Sequence, residues 1–192
     1  NELKKKFIDG LNSNKPQLLT KNLIADIETP ISSLLKIKKN QNYSFLLESV
    51  EGGSQRGRYS LLGCDPDLIW KVENNLASIK YNYENYNYKI SNQPMKSLKN
   101  LIKFSKFDKG NIDVPYPILV GYLGYPMIQY MEKILLKNND NINIPDSILI
   151  RPKIVAVFDN IKDTITVMTA VYPNKKKNYE TEFIKAQDLL DS

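Results

Sequence analysis

The segment FLLESVEGGSQRGRYSLLG, residues 45–63, places a polar turn between two apolar stretches. The short apolar run Tyr43–Leu47 predicts a buried strand, and Glu48 and Ser49 lie at its end. Two consecutive glycines then predict a turn, and Arg58–Gly63 predicts a second strand. The segment therefore predicts paired strands with a carboxylate, a hydroxyl and two arginines at their polar end.

The remainder of the chain predicts single helices between clusters of strands. Helices are expected at Glu2–Leu11, from Thr29-Pro30 to about Lys39, from Pro94 through Ile102, at Met127–Leu136 and from Asn178 to Leu190. Thr29 is the expected N-cap of the second helix, and Met95, Leu98, Leu101 and Ile102 are expected on one face of the third. Further strands are expected at Gln17–Asp26, Leu68–Val72, Ile118–Leu123, Ile148–Ile150, Ile154–Phe158 and Thr164–Thr169. Turn signals at Asn74-Asn75 and Glu84-Asn85 indicate hairpins across Leu76–Ile90. This order favours an α+β fold with mixed, mainly antiparallel sheets and flanking helices over a doubly wound parallel sheet.

Composition excludes several kinds of site. The 192 residues include no histidine, so catalytic triads and histidine metal sites are excluded. A single cysteine, Cys64, provides neither a disulfide framework nor metal-ligand spacing, and we interpret it as a small packing residue. The glycines form neither a Walker loop nor a dinucleotide fingerprint. The sequence therefore predicts no catalytic residue and no metal ligand in this chain.

The net charge of +6 comes from 27 basic residues, of which 24 are lysines and three are arginines. Abundant lysine, asparagine and tyrosine are the pattern expected from an AT-rich genome, and the lysines are spread along the chain. We therefore expect no nucleic-acid partner. The chain also contains no run of the roughly 18 to 20 apolar residues that a membrane-spanning helix requires, so we expect no membrane partner and a cytoplasmic location.

The three arginines, Arg56, Arg58 and Arg151, mark positions where lysine does not suffice. Lysine provides a point charge, whereas the planar guanidinium binds a carboxylate through two parallel hydrogen bonds. We interpret Arg151 as a structural contact. In residues 45–63, the residue types fit two readings equally: a site that binds a zwitterion, or a charged hairpin in which Arg56 and Glu51 pair in solvent.

A family resemblance decides between these readings. Residues 45–63 resemble the N-terminal motif of anthranilate synthase component I. Three further segments are similar to that family in the same order: ADIETPISSLLKI at residues 25–37, GYLGYPMIQYMEKI at residues 121–134, and IPDSILIRPKIVAVFDNIKDTITVMT at residues 144–169. The GYLGYPMIQY segment departs from the family, because Pro126 and Gln129 stand where relatives carry an acid and an arginine.

The resemblance implies that residues 1–192 are the N-terminal regulatory domain of the large subunit, with the fold of that part of the family. It implies that Glu48, Ser49 and Arg58 bind the feedback inhibitor L-tryptophan. Glu48 would pair with the ammonium group, and Ser49 would donate or accept a hydrogen bond. Leu47, Tyr59 and residues 31–35 would line an indole pocket, although each also fits an ordinary core position.

The same resemblance implies the partners and the chemistry. The family converts chorismate and an amino donor to anthranilate and pyruvate in tryptophan biosynthesis. Chorismate and Mg²⁺ are expected to bind in a C-terminal domain outside this chain, and glutamine hydrolysis is expected to occur on a separate glutaminase subunit. The chain alone is therefore expected to be inactive. Two alternatives stay open: the N-terminal domain of aminodeoxychorismate synthase component I, and a stand-alone tryptophan-binding module.

Overall fold

The computed structural model describes residues 2–38, 43–50, 56–81, 88–107, 112–134, 136 and 143–191. The helices are α1 (Glu2–Asn12), α2 (Pro30–Lys38), α3 (Pro94–Ser105), a 3₁₀ helix (Tyr125–Tyr130) and α4 (Tyr179–Asp191). The strands are β1 (Gln17–Ile24), β2 (Ser44–Val50), β3 (Arg56–Glu73), β4 (Leu76–Tyr81), β5 (Tyr88–Ser91), β6 (Val120–Leu123), β7 (Ser147–Asp159) and β8 (Thr164–Val171). The predicted α+β class with antiparallel pairing is confirmed.

The chain divides into two compact units. The first unit contains Asn1–Asp65, Ser105–Tyr116 and Lys153–Ser192, and the second contains Pro66–Phe104 and Pro117–Pro152. Each boundary within a strand falls next to a proline, Pro66 in β3 and Pro152 in β7. Proline lacks the N–H that a strand ladder uses, so both positions interrupt backbone pairing. That residues 1–192 act as one regulatory domain remains a prediction.

In the first unit, β8 pairs antiparallel with β1 on one side and with β7 on the other, and β2 pairs antiparallel with β3. Alternate residues of β7 point to opposite faces. Val155 and Val157 belong to a cluster that includes Met168 and Tyr116, whereas Ala156 and Phe158 belong to a second cluster with Leu62. Leu34 and Ile37 of α2 pack on the second cluster. Both faces of this sheet are therefore covered.

Side chains cap two helix starts, of which the Thr29 cap was predicted. The Thr29 hydroxyl accepts a hydrogen bond from the Ser32 N–H at 3.1 Å, and the Ser32 hydroxyl accepts one from the Thr29 N–H at 2.9 Å. This reciprocal pair satisfies two backbone donors at the start of α2. At α4, the Asn178 side chain accepts from the N–H groups of Glu180 and Thr181 at 2.9 and 3.1 Å.

The second unit is built around Trp70, which is fully buried with Leu68, Val72, Leu98 and Met127. Its indole N–H donates to the Ser97 hydroxyl at 3.1 Å. The β3–β4 hairpin turns through Asn74 and Asn75, both with positive φ, as the Asn-Asn pair predicts. The second turn predicted in this stretch, at Glu84-Asn85, lies outside the described residues.

Four expectations need correction. The strands predicted separately at Arg58–Gly63 and Leu68–Val72 are one strand, β3, which continues through Asp65, with φ 51°, and Pro66. The two strands predicted between Ile148 and Phe158 are likewise one strand, β7. Ile102, predicted to share the buried face of α3, is 37% exposed.

The helix predicted at Met127–Leu136 is also wrong within the described residues. A 3₁₀ helix ends at Tyr130, with i to i+3 hydrogen bonds from Met127 N–H to Gly124 O and from Met131 N–H to Ile128 O, each 3.0 Å long. Met127 is the only buried residue of this short helix, so there is no apolar stripe to hold a longer α-helix against the core.

Arg151 forms the structural contact predicted for it. Its Nε and Nη2 atoms donate to the two carboxylate oxygens of Asp67, each at 2.7 Å, and the Arg151 side chain is 6% exposed. The contact uses the planar fork of the guanidinium, which lysine cannot reproduce.

Replacing Arg151 with Met should destabilise the chain by about 3 kcal/mol, because the partly buried Asp67 carboxylate loses its partner. Urea unfolding followed by the fluorescence of Trp70, which lies in the same unit, measures this loss. The double variant Arg151→Met/Asp67→Leu should recover part of it, since no charge is then left uncompensated. A double variant less stable than Arg151→Met alone would contradict this account.

Candidate functional site

Glu48 and Ser49 lie on β2 in the first unit, and both are exposed. Glu48 pairs with Ser60 of β3, and the register then shifts before Val50 pairs with Arg56. Opposite Ser49, β3 therefore carries a β-bulge, because Gly57, Arg58 and Tyr59 lie between its paired residues Arg56 and Ser60. Glu48 and Ser49 present a carboxylate and a hydroxyl at consecutive positions of β2, both at the solvent surface.

Gly57 of β3 lies directly against Ser49. A Cβ atom added to Gly57 would lie 2.1 Å from Ser49 Oγ and 2.3 Å from Ser49 Cβ. These separations are far below van der Waals contact, so only glycine leaves room for the serine side chain here. The position of the Ser49 hydroxyl therefore depends on the backbone at Gly57.

Arg58 forms an ion pair with Asp159 at the end of β7. Arg58 Nη2 lies 2.9 Å from Asp159 Oδ2, and Nε lies 3.3 Å from both carboxylate oxygens. The guanidinium carbon also lies 4.7 Å from the centre of the Tyr59 ring, within the range of a cation–π contact. The Arg58 side chain remains 40% exposed, whereas that of Asp159 is 1% exposed.

The Asp159 carboxylate also organises the β7–β8 turn. Its Oδ1 accepts hydrogen bonds from the backbone N–H groups of Ile161 and Lys162 at 3.1 and 3.3 Å. The hydrogen bond from Arg58 lowers the pKa of Asp159, burial opposes this, and the two N–H groups lower it further. The same hydrogen bond raises the pKa of Arg58. Asp159 is therefore ionised in the native protein at neutral pH.

The next residue, Asn160, forms two hydrogen bonds to the start of β3. Its backbone N–H donates to the carbonyl of Arg58 at 2.8 Å, and its Nδ2 donates to the carbonyl of Gly57 at 2.9 Å. These two hydrogen bonds fix the β7–β8 turn to Gly57, which lies against Ser49, and to Arg58, which carries the guanidinium.

A second ion pair contributes two further charged groups to this region. Lys162 Nζ donates to Asp113 Oδ2 at 2.9 Å, and both side chains are largely exposed. The hydrogen bond raises the pKa of Lys162 and lowers that of Asp113. The two pairs together hold two positive and two negative charges.

The three predicted site residues thus lie on adjacent antiparallel strands. Among the predicted indole-lining residues, Leu47, Ile31 and Leu35 are 49, 57 and 71% exposed, so these three are not core residues. Tyr59 is partly buried against the cluster of Val155 and Val157. The alternative ion pair between Arg56 and Glu51 falls outside the described side chains.

Sequence reasoning missed Gly57, Asp159 and Asn160. The Arg58–Asp159 contact spans 101 residues of chain, and nothing in the local sequence marks it. The described residues include no group of three or more carboxylate or cysteine side chains that could hold a metal ion. None of the helices that the structure describes is long and apolar enough to cross a membrane.

Sequence comparison finds relatives named anthranilate synthase component 1. The protein from Cereibacter sphaeroides is 33% identical over 190 residues, which cover 96% of this chain and 38% of that protein. The protein from Aquifex aeolicus is 29% identical over 169 residues, or 88% of this chain and 34% of that protein. The protein from Synechocystis is 33% identical over 153 residues, or 74% of this chain and 28% of that protein.

The chain spans about a third of the length of these relatives and matches their N-terminal part. Among solved structures, anthranilate synthase component I from Streptococcus pneumoniae TIGR4 matches with a TM-score of 0.49 and 21% identity, covering 88% of this chain and 35% of that chain. No protein-family model matches the chain.

Protonation of Asp159 should destabilise the first unit in acid. Because its native pKa lies below its unfolded value, of about 3.9, the charge stabilises the fold above that pH, and the stabilisation is lost as the pH falls toward the native pKa. The free energy of unfolding of the wild type should therefore exceed that of Asp159→Asn by most at pH 7, and this difference should shrink below about pH 4. Urea midpoints at pH 7, 5, 4 and 3 measure the difference in stability. A difference that stays constant would contradict this assignment.

Proposed function

Because the chain is homologous to the N-terminal part of anthranilate synthase component 1, we propose that it is the regulatory part of an anthranilate synthase large subunit. In this proposal the whole subunit converts chorismate and an amino donor to anthranilate and pyruvate in cytoplasmic tryptophan biosynthesis. This chain carries part of the site at which L-tryptophan inhibits that reaction. The relatives named above support the enzyme family, and the surface around Ser49 supports the effector site.

The reaction itself is assigned to sequence beyond this chain. The matched relatives are about three times as long as this chain, so most of their sequence lies outside the match. In the proposal, that remainder binds chorismate and Mg²⁺, and a glutaminase subunit supplies ammonia.

The single observation that carries the effector site is that β2 exposes a carboxylate, Glu48, and a hydroxyl, Ser49, at consecutive positions opposite the β3 bulge that contains Arg58. The Glu48 carboxylate would bind the ammonium group of tryptophan, and the Ser49 hydroxyl would hydrogen-bond a polar group of it. Both belong to a strand held on β3, so little conformational entropy is lost when they bind.

Arg58 would provide the positive charge of the site. Asp159 already compensates part of that charge, but the 40% exposure of the Arg58 side chain leaves it accessible from solvent. Leu47 lies next to Glu48 and is half exposed, so its apolar surface is available to the indole ring.

In the whole subunit, tryptophan would inhibit by favouring an arrangement with low activity. Such control requires that the effector bind one arrangement more tightly than the other, and a coupling of about 1–3 kcal/mol is typical. The exposed position of Glu48 and Ser49 allows the effector to reach them from solvent.

Two other functions are compatible with parts of the sequence. In aminodeoxychorismate synthase component I the product would be aminodeoxychorismate, and product analysis separates the two enzymes. A stand-alone tryptophan-binding module would bind tryptophan with no enzymatic partner domain. The relatives named above favour anthranilate synthase over both.

The proposal is tested by joining this chain to the C-terminal part of the Cereibacter sphaeroides relative. The fusion is supplied with chorismate, Mg²⁺ and ammonia, and anthranilate fluorescence is followed with and without L-tryptophan. We expect anthranilate formation that tryptophan suppresses, and none from this chain alone. Activity that is indifferent to tryptophan would refute the regulatory role, and anthranilate made by this chain alone would refute its inactivity.

Substitutions of Glu48 and Ser49 should weaken inhibition of that fusion by tryptophan. Glu48→Gln removes the charge and Ser49→Ala removes the hydroxyl, and each should raise the tryptophan concentration for half-inhibition about tenfold, the effect of losing about 1.4 kcal/mol of binding free energy. Glu73→Gln, on an exposed part of β3, and Ser44→Ala, at the start of β2, are the matched controls and should leave half-inhibition unchanged. If the control variants raise the tryptophan concentration for half-inhibition as much as Glu48→Gln and Ser49→Ala do, the effector site does not lie at Glu48 and Ser49.

A further inference from the structure

The β7–β8 turn reaches across to the start of β3 through two adjacent residues. Asp159 binds the Arg58 side chain, and Asn160 binds the backbone carbonyls of Gly57 and Arg58. All four residues lie in the first unit. No residue of the turn is itself among the proposed effector contacts.

The contacts of Asn160 fix the position of the β3 backbone next to the Ser49 side chain. Its Nδ2 donates to the carbonyl of Gly57 at 2.9 Å, and Gly57 is the residue whose Cα faces the Ser49 side chain without room for a Cβ. A small shift of Gly57 toward β2 would therefore push the Ser49 hydroxyl out of its position.

The contacts of Asp159 control the direction of the guanidinium. Its carboxylate is 1% exposed and receives hydrogen bonds from Arg58 and from two backbone N–H groups of its own turn. A buried carboxylate held by several donors has few alternative orientations, so it fixes the side chain that it binds.

We propose that Asp159 and Asn160 are positioning residues of the effector site: they hold Gly57 and Arg58 so that Ser49 and the guanidinium face the ligand together. This inference rests on the proposed function. It also makes the turn the element through which occupation of the site acts on the rest of the first unit, because β7 and β8 extend from it and pair with each other and, through β8, with β1.

The test uses the same fusion and replaces Asn160 with Asp. Aspartate has nearly the shape of asparagine, but its carboxylate cannot donate to the Gly57 carbonyl and repels it. The tryptophan concentration for half-inhibition should rise about fivefold or more, while the KM for chorismate stays within twofold. Asn160→Ala, which removes the donor without adding charge, is the second variant and should shift inhibition in the same direction.

Ile161→Ala is the matched control, because Ile161 lies in the same turn and its side chain is 71% exposed. Inhibition of this variant should equal that of the wild type. If the wild-type fusion is inhibited but both Asn160 variants respond like it, the positioning role is refuted while the proposed function stands. The same conclusion follows if Ile161→Ala shifts inhibition as much as they do. A wild-type fusion that tryptophan does not inhibit refutes both.

Discussion

The compensation of one buried carboxylate organises the region that we assign to the effector. Asp159 is almost fully buried, and an ionised carboxylate in that environment requires several donors. Arg58 supplies two of its N–H groups and the β7–β8 turn supplies two more. Because Arg58 lies in the part of β3 where pairing with β2 is interrupted, between Arg56 and Ser60, this ion pair holds β3 where its ladder with β2 does not.

The scarcity of arginine in a lysine-rich chain marked two positions that use the planar fork of the guanidinium. Arg58 and Arg151 each bind a carboxylate through more than one nitrogen, and the partner is Asp159 in one case and Asp67 in the other. A single ammonium group cannot make both bonds in that geometry, which gives a physical reason for arginine to persist there. The side chain of Arg56 falls outside the described residues.

Local chemistry was predictable from the sequence, and long-range chemistry was not. The Thr29 cap and the Asn74-Asn75 turn depend on neighbours within a few residues, so their residue types were sufficient. The continuity of β3 through Asp65 and Pro66 was not predictable, because a positive φ and a proline both favour a strand end. The partner of Arg58, Asp159, lies still further along the chain. Glu48, Ser49 and Arg58 were named through the family resemblance, whereas Gly57, Asp159 and Asn160 make contacts that only the folded chain brings together.

A site assembled in this way responds differently from a deep pocket. Glu48 and Ser49 are exposed, so a ligand there gains little from burial and depends on how well its polar contacts are directed. The direction of these contacts is set by groups that the ligand does not touch. They are Gly57, which lies against Ser49, and the β7–β8 turn, which binds Gly57 and Arg58. A small displacement of β3 against β2 would therefore change the affinity of the proposed site for its ligand. By linkage, a ligand that binds one placement of β3 more tightly than another shifts the protein toward that placement, which is the property required of a regulatory site.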